Sequence, residues 1–206
     1  METLSHQELR EDCYIIEVDK GDDMKLAVIV GSLRHSSHNL TLARVLVERL
    51  PADTETTWVD LRDVPFMNED LEANVPSSVV RVADQVLQSD GVLIVSPEYN
   101  RGIPAVTKNI IDWLSRGSTG NVLRAKPVAI GGISTGPIKT LVMQSQLRPV
   151  LAHVGAVVLT SPVLALSVGE DNMTAEGVVS EKTSLHFDEF TRALLAHVSL
   201  YSEAQR

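Results

Sequence analysis

Two polar loops carry residue types that can do chemistry, and each directly follows an apolar, β-branched run. The first reads Gly31-Ser-Leu-Arg-His-Ser-Ser-His-Asn39. It brings the hydroxyls of Ser32, Ser36 and Ser37, the Asn39 amide and the Arg34 guanidinium to the start of a helical pattern. The first N–H groups of a helix are unpaired and its dipole is positive there, so this set suits a phosphate. An ordinary turn capped by Ser37 or Asn39 explains the same residues taken alone. Position at the carboxyl end of the first strand, where open α/β sheets bind ligands, favours the anion site.

The second loop reads Pro97-Glu-Tyr-Asn-Arg-Gly-Ile-Pro104. Two prolines and Gly102 restrict the backbone, so its N–H groups can meet the polar edge of a planar heterocycle at little ordering cost. Tyr99 adds a ring face or a hydroxyl, and Asn100 and Arg101 add donors. Glu98 has the type of a general base, yet nothing in the chain completes an acid–base pair around it. A third segment, Ser134-Thr135-Gly136, permits close backbone approach after another strand; a helix N-cap at Ser134 or Thr135 is its plainer reading, and both can hold.

Other chemistries lack their patterns. There is no G-x-G-x-x-G and no G-x-x-x-x-G-K-[ST]. His35 and His38 have no cysteine or carboxylate near them in the loop, so they read as solvated rather than metal-binding. His153, His186 and His197 fall on helical patterns and read as structural. Cys13 is the single cysteine and has no histidine nearby, which points to an inert thiol, no intrachain disulfide and a reducing, cytoplasmic setting.

The elements that position the loops alternate strand and helix. Strands are expected at Leu26–Val30, 54–61, Val92–Val95, Pro127–Gly131 and 157–166, the last interrupted at Pro162. Helix faces are expected at Leu40, Ala43, Leu46, Val47 and Leu50 before Pro51; at Val79, Val82, Ala83, Val86 and Leu87 with Gly91 just past the end; over 106–114 and 141–151; and at Leu185, Phe190, Leu194 and Val198. Five β-α repeats imply an α/β, flavodoxin-like three-layer sandwich with a five-stranded parallel sheet in the order 2-1-3-4-5. In that order the three loops meet around one ligand. Residues 1–23 read as an acidic extension with an apolar island near Cys13–Val18, and residues 24–206 as one domain. The acidic loop from Asp63 to Pro76 reads as a flap or part of an interface.

Composition narrows the function further. Of 206 residues 44% are apolar, enough for one core, and the net charge is −9. That balance argues against nucleic acid, which needs clustered cations. No run is long enough to cross a bilayer, and the amino terminus lacks a signal-peptide pattern.

These loops resemble those of the NADPH-dependent FMN reductase family, a flavodoxin-like group of FMN-containing quinone, azo-dye and chromate reductases. The family's phosphate loop, G-S-x-R-x-x-S-x-N, and ring loop, P-E-Y-N-x-x-x-P, both occur without mismatch at Gly31–Asn39 and Pro97–Pro104. Lys108-Asn109 and Ile111-Asp112-Trp113 also look like the family's helix. The resemblance implies FMN as cofactor and NADPH or NADH as co-substrate. It makes Ser32, Arg34, Ser37 and Asn39 phosphate ligands. It makes Pro97, Glu98, Tyr99, Asn100 and Arg101 the isoalloxazine wall, mainly through backbone groups, with Ser134, Thr135 and Gly136 closing the other side. No side chain is catalytic in this reading, because the flavin carries the chemistry. Arg101 and Lys139 are candidates for the NADPH 2′-phosphate. Many relatives have Gly-Gly where this chain reads Gly136-Pro-Ile-Lys-Thr140, which leaves the small-molecule electron acceptor open among quinone, azo compound, free flavin and metal. The resemblance also implies a homodimer, or a tetramer of two dimers, with the helix near Ile103–Leu114 at the interface. Two alternatives stand beside the reductase: a flavodoxin-type electron carrier without NADPH turnover, and a flavin-binding sensor or interaction module.

Overall fold

The computed structural model describes residues 24–203, so the amino-terminal extension lies outside the described residues. The strands are β1 (Lys25–Val30), β2 (Glu55–Val59), β3 (Gly91–Val95), β4 (Pro127–Ser134), β5 (Val157–Val158) and β6 (Leu164–Ser167), and the inner ones, β1, β3 and β4, hold the longest apolar runs while the edge strand β2 is mostly polar. Between and after them lie α1 (His38–Val47), α2 (Ser77–Leu87), α3 (Ala105–Leu114), α4 (Leu141–His153) and α5 (Glu181–Glu203). The sheet is parallel in the order β2-β1-β3-β4-β5, as the alternation requires.

Alternate strand residues face opposite layers. Ala27, Ile29, Val92, Ile94, Val128 and Ile130 pack against α2, α3 and α4. Leu26, Val28, Leu93, Val95 and Ala129 pack against α1 and α5 through Leu42, Leu46, Phe187, Phe190 and Leu194. Strands buried on both sides explain the continuous apolar runs.

Some sequence expectations shift. The expected fifth strand is two short strands, β5 and β6, which both pair with β4, at Pro127–Val128 and at Gly131–Ser134 respectively. Pro162, which has no N–H to donate, lies between them. The sheet therefore has six strands. β4 is also longer than expected and outruns β3, whose last pair is Val95 with Gly131. Gly91 is not a helix terminus but the first residue of β3, where an added Cβ would lie 2.4 Å from Val198 Cγ2 of α5. Leu87 and Leu185 are exposed, and Phe187 takes the core position expected of Leu185. In α1 the stripe is Leu42, Ala43 and Leu46 rather than one starting at Leu40.

The loop from Asp63 to Pro76 is laid along α3. Pro65 O accepts from Trp113 Nε1 and from Asn109 Nδ2, both at 2.9 Å, while Met67 N donates to Asn109 Oδ1 at 2.7 Å. Arg116 adds ion pairs to Glu69 and Glu72 at 3.0 and 2.7 Å. The loop's own Phe66 stays 77% exposed. Lys126 is buried and donates to Ser89 O, closing the chain after α2, and burial lowers its ammonium below the usual lysine range.

Candidate functional site

All three loops leave the carboxyl ends of neighbouring strands: Gly31–Ser37 follows β1, Ser96–Pro104 follows β3 and Thr135–Thr140 follows β4. Small residues bring these strand ends close together. Ser96 Oγ and Thr107 Oγ1 lie 2.8 Å apart, and a Cβ on Gly31 would fall 2.1 Å from the latter. A Cβ on Gly132 would fall 2.3 Å from Ser96 O and 2.8 Å from Thr140 Oγ1. Adjacent glycines inside a strand are the sequence signal for such an approach.

In the first loop, α1 opens with N–H groups of His38, Asn39 and Leu40 that find no acceptor among the described residues. Ser37 stands at the N-cap position, yet its hydroxyl makes no capping bond. The residue is 3% exposed, and the hydroxyl meets no hydrogen-bond partner among the described residues. The guanidinium of Arg34 is exposed and donates to Ser36 O at 2.5 Å. Asn39 differs from the sequence expectation. Its amide is buried and fully engaged, Nδ2 donating to Ile133 O at 2.9 Å and Oδ1 accepting from Ile133 N at 3.0 Å. Its backbone N–H has no acceptor among the described residues, and the side chain ties α1 to β4.

The second loop is a two-residue turn. Tyr99 and Gly102 exchange backbone hydrogen bonds of 3.3 and 3.0 Å, and Asn100 and Arg101 between them have φ of 50° and 61°. Two left-handed central residues make a type I′ turn, natural for asparagine and strained for arginine. The N–H groups of Asn100 and Arg101 have no acceptor among the described residues. The Glu98 carboxylate, 6% exposed, accepts from Met143 N in the first turn of α4 at 2.9 Å and stands 3.8 Å from Arg101. Gln146 Nε2 of α4 donates to Arg101 O at 3.0 Å. The side chain of Glu98 is thus a cap on α4 rather than a free base.

In the third loop Ser134 Oγ accepts from Gly136 N at 3.1 Å, and Lys139 N donates to Gly136 O at 3.0 Å. Neither Ser134 nor Thr135 caps a helix, because α4 begins at Leu141 with Thr140 at its N-cap. Sequence reasoning missed the Asn39–Ile133 clamp and the Glu98–Met143 bond, since both join residues distant in the chain.

Other candidate chemistry does not gather here. No group of histidine, cysteine and carboxylate residues able to hold a metal occurs among the described residues. Asp60, at the end of β2, is held well below the usual carboxylate range by hydrogen bonds from Arg62, an ion pair of the surface. A cavity of ≈ 460 Å³ lined by Arg116, Asn121, Arg124 and His153 opens at the opposite end of the strands.

The description of NADPH-dependent FMN reductases matches this chain over residues 24–171. The chain belongs to the NADPH-dependent FMN reductase family. Its cofactor is therefore FMN, its reductant NAD(P)H, and it is an oxidoreductase. The chain is 39% identical over 168 residues to a 2-hydroxy-1,4-benzoquinone reductase of Burkholderia sp, covering 81% of this chain and 92% of that one. It is 33% identical over 176 residues to a quinone reductase of Pseudomonas putida, covering 85% and 95%. Among solved structures it is similar to FerB, the flavoenzyme NAD(P)H:(acceptor) oxidoreductase of Paracoccus denitrificans, with a TM-score of 0.80, 36% identity, and 86% and 98% of the two chains covered. The family's cofactor fits the residues present: an N-cap Ser37 hydroxyl without a protein partner and three helical N–H groups without acceptors among the described residues suit a phosphate, and the unpaired N–H groups of the turn suit a ring edge. No helix among the described residues is long and apolar enough to cross a membrane.

Proposed function

We propose that FMN lies across the carboxyl end of the sheet, with its phosphate at the first turn of α1 and its ring beside the Tyr99–Gly102 turn. The observation that carries this reading is Ser37, a buried N-cap residue whose hydroxyl is left without a partner. An N-cap hydroxyl that makes no bond, beside helical N–H groups without acceptors among the described residues, leaves donors open to an anion. Ser32, Ser37 and Arg34 then hold the phosphate with the N–H groups of His38, Asn39 and Leu40. Pro97, Glu98, Tyr99, Asn100 and Arg101 form the ring wall, the donors being the backbone N–H groups of Asn100 and Arg101. Ser134, Thr135 and Gly136 border the opposite side.

When bound, FMN supplies a two-electron relay between NAD(P)H and an acceptor. The turn's N–H groups stabilise negative charge on the ring edge, because fixed donors need no reorganisation as that charge develops. The acceptor we propose is a quinone, in keeping with the names of the relatives. The direct test is the visible spectrum of the purified protein. Flavin bands that bleach under anaerobic NADPH and return on adding a quinone are expected; a colourless protein that takes up no FMN would falsify the reading. Arg34→Ala is expected to weaken FMN binding by about 1.5–3 kcal/mol, the worth of a charge-assisted bond, in a fluorescence titration. Its thermal stability without FMN should hardly change, since Arg34 bonds only to its own loop.

The functional unit we propose is a homodimer built on α3 and the 63–76 loop, where Phe66 is exposed, able to pair into a tetramer. Light scattering should give a multiple of the 22.4 kDa chain, and conversion to monomer is expected for Phe66→Glu. Residues 24–206 act as one domain with residues 1–23 as its extension, in the cytoplasm.

A further inference from the structure

We propose that Lys139 selects an acceptor that is flat, conjugated and negatively charged, of the kind an ionised hydroxyquinone presents. This inference rests on the FMN-dependent reading of the site and adds the charge of the molecule that enters it.

The loops bring three long cationic side chains to this end of the sheet, and they differ in their partners. Arg34 donates to Ser36 O, and Arg101 pairs with Glu98. Lys139 has no carboxylate or hydrogen-bond acceptor for its ammonium among the described residues. It is partly buried all the same, and its φ of 61° is one that a side chain opposes. Its place is fixed from both sides. Lys139 N is bonded to Gly136 O at 3.0 Å. The next residue, Thr140, is fully buried and receives Gln144 Nε2 on its hydroxyl at 3.2 Å. The residue also comes just before the positive end of α4, where a cation is unfavourable. Glu98 answers that end of the helix through Met143 N and is already shared with Arg101. A strained, unpaired lysine held beside like charge suits a local rule broken for a ligand.

The surroundings give the ligand its shape. Ile138 precedes Lys139 and Leu141 follows two places after it, 42% and 49% exposed, and Tyr99 on the ring loop is 52% exposed. Exposed apolar side chains take a flat conjugated body, and an ammonium takes an anionic oxygen on it. A neutral quinone satisfies the first demand alone.

The same ammonium chemistry also suits the 2′-phosphate of NADPH, and kinetics separate the two sources. FMN-loaded wild type, Lys139→Met, Lys139→Arg and Lys139→Gly are assayed with 2-hydroxy-1,4-benzoquinone, ionised at neutral pH, and with uncharged 1,4-benzoquinone, each with NADPH and with NADH. The expected result is a fall of about tenfold in the ratio of kcat/KM for the ionised over the uncharged quinone in Lys139→Met, with either nucleotide, carried by KM. Lys139→Arg should keep the ratio. Lys139→Gly, which removes the charge without backbone strain, should lose it as Lys139→Met does. An unchanged ratio in Lys139→Met overturns the proposal. So does a loss that follows NADPH against NADH whichever quinone is used, which assigns the ammonium to the 2′-phosphate. Failure of the FMN reading would look different: the wild type itself would bind no flavin and turn over neither quinone.

Discussion

Gly132→Ala is expected to destabilise the FMN-free protein by about 3 kcal/mol, the upper end for overpacking a core. The added methyl would lie 2.3 Å from Ser96 O, a backbone atom at the root of the ring loop. That oxygen cannot swing aside as a side chain can. Its neighbour Ser96 N is bonded to Gly131 O at 3.0 Å, so moving one strand end drags the other. The methyl would also press on Thr140, the residue that starts α4. Loss of FMN affinity should accompany the loss of stability, because the ring loop and the third loop are pushed apart. Gly131→Ala is the matched control. Its nearest obstacle is Leu164 Cδ2 at 3.0 Å, the tip of a side chain that can rotate, and a cost of about 1 kcal/mol is expected. Thermal melts of the two FMN-free variants decide the matter, and equal melting temperatures would refute this account of the close approach.

Asn39→Ala is expected to cost about 2–6 kcal/mol in the FMN-free protein, since it strands two buried backbone groups at roughly 1–3 kcal/mol each. β4 continues past the end of β3, and the Asn39 amide bonds both the N–H and the C=O of Ile133 there. A side chain thus stands in for a strand that is no longer present, and it fixes where the open end of α1 sits. Asn39→Asp should fare little better, because a carboxylate would face Ile133 O without a proton to donate. The comparison with Arg34→Ala is informative. Both weaken FMN binding, but only the Asn39 variants should also lower the FMN-free melting temperature. If Asn39→Ala melts like the wild type and loses FMN alone, the amide touches the phosphate itself and the clamp is not its main role.

The placement of the candidate site's loops at neighbouring strand ends was legible in the chain because the site's parts are local. The Ser32–Asn39 loop and the Pro97–Pro104 loop each lie between one strand and one helix, so motif and element are read together. Asn100 before Arg101-Gly102 even hints at the left-handed turn, asparagine being tolerant of positive φ. What Asn39 and Glu98 do was not legible. Both look like ligands in a linear reading, and both are drawn to backbone groups far along the chain, Ile133 at 94 positions and Met143 at 45. The same distance hid the two-part edge of β4, since the pairing of β5 and β6 depends on how far β4 extends.

The order of apolar and polar runs by itself determined the parallel sheet, the layer of helices on each face and the strand ends that carry the loops. Those features follow from burying apolar surface at a fixed period, which neighbouring residues settle among themselves. Tertiary structure alone decided which polar side chains are spent on the scaffold and which are left without a protein partner. Ser37 is left and Asn39 is spent, though both sit within one turn of α1, because only the finished packing brings a strand with unpaired backbone groups within reach of one and not of the other.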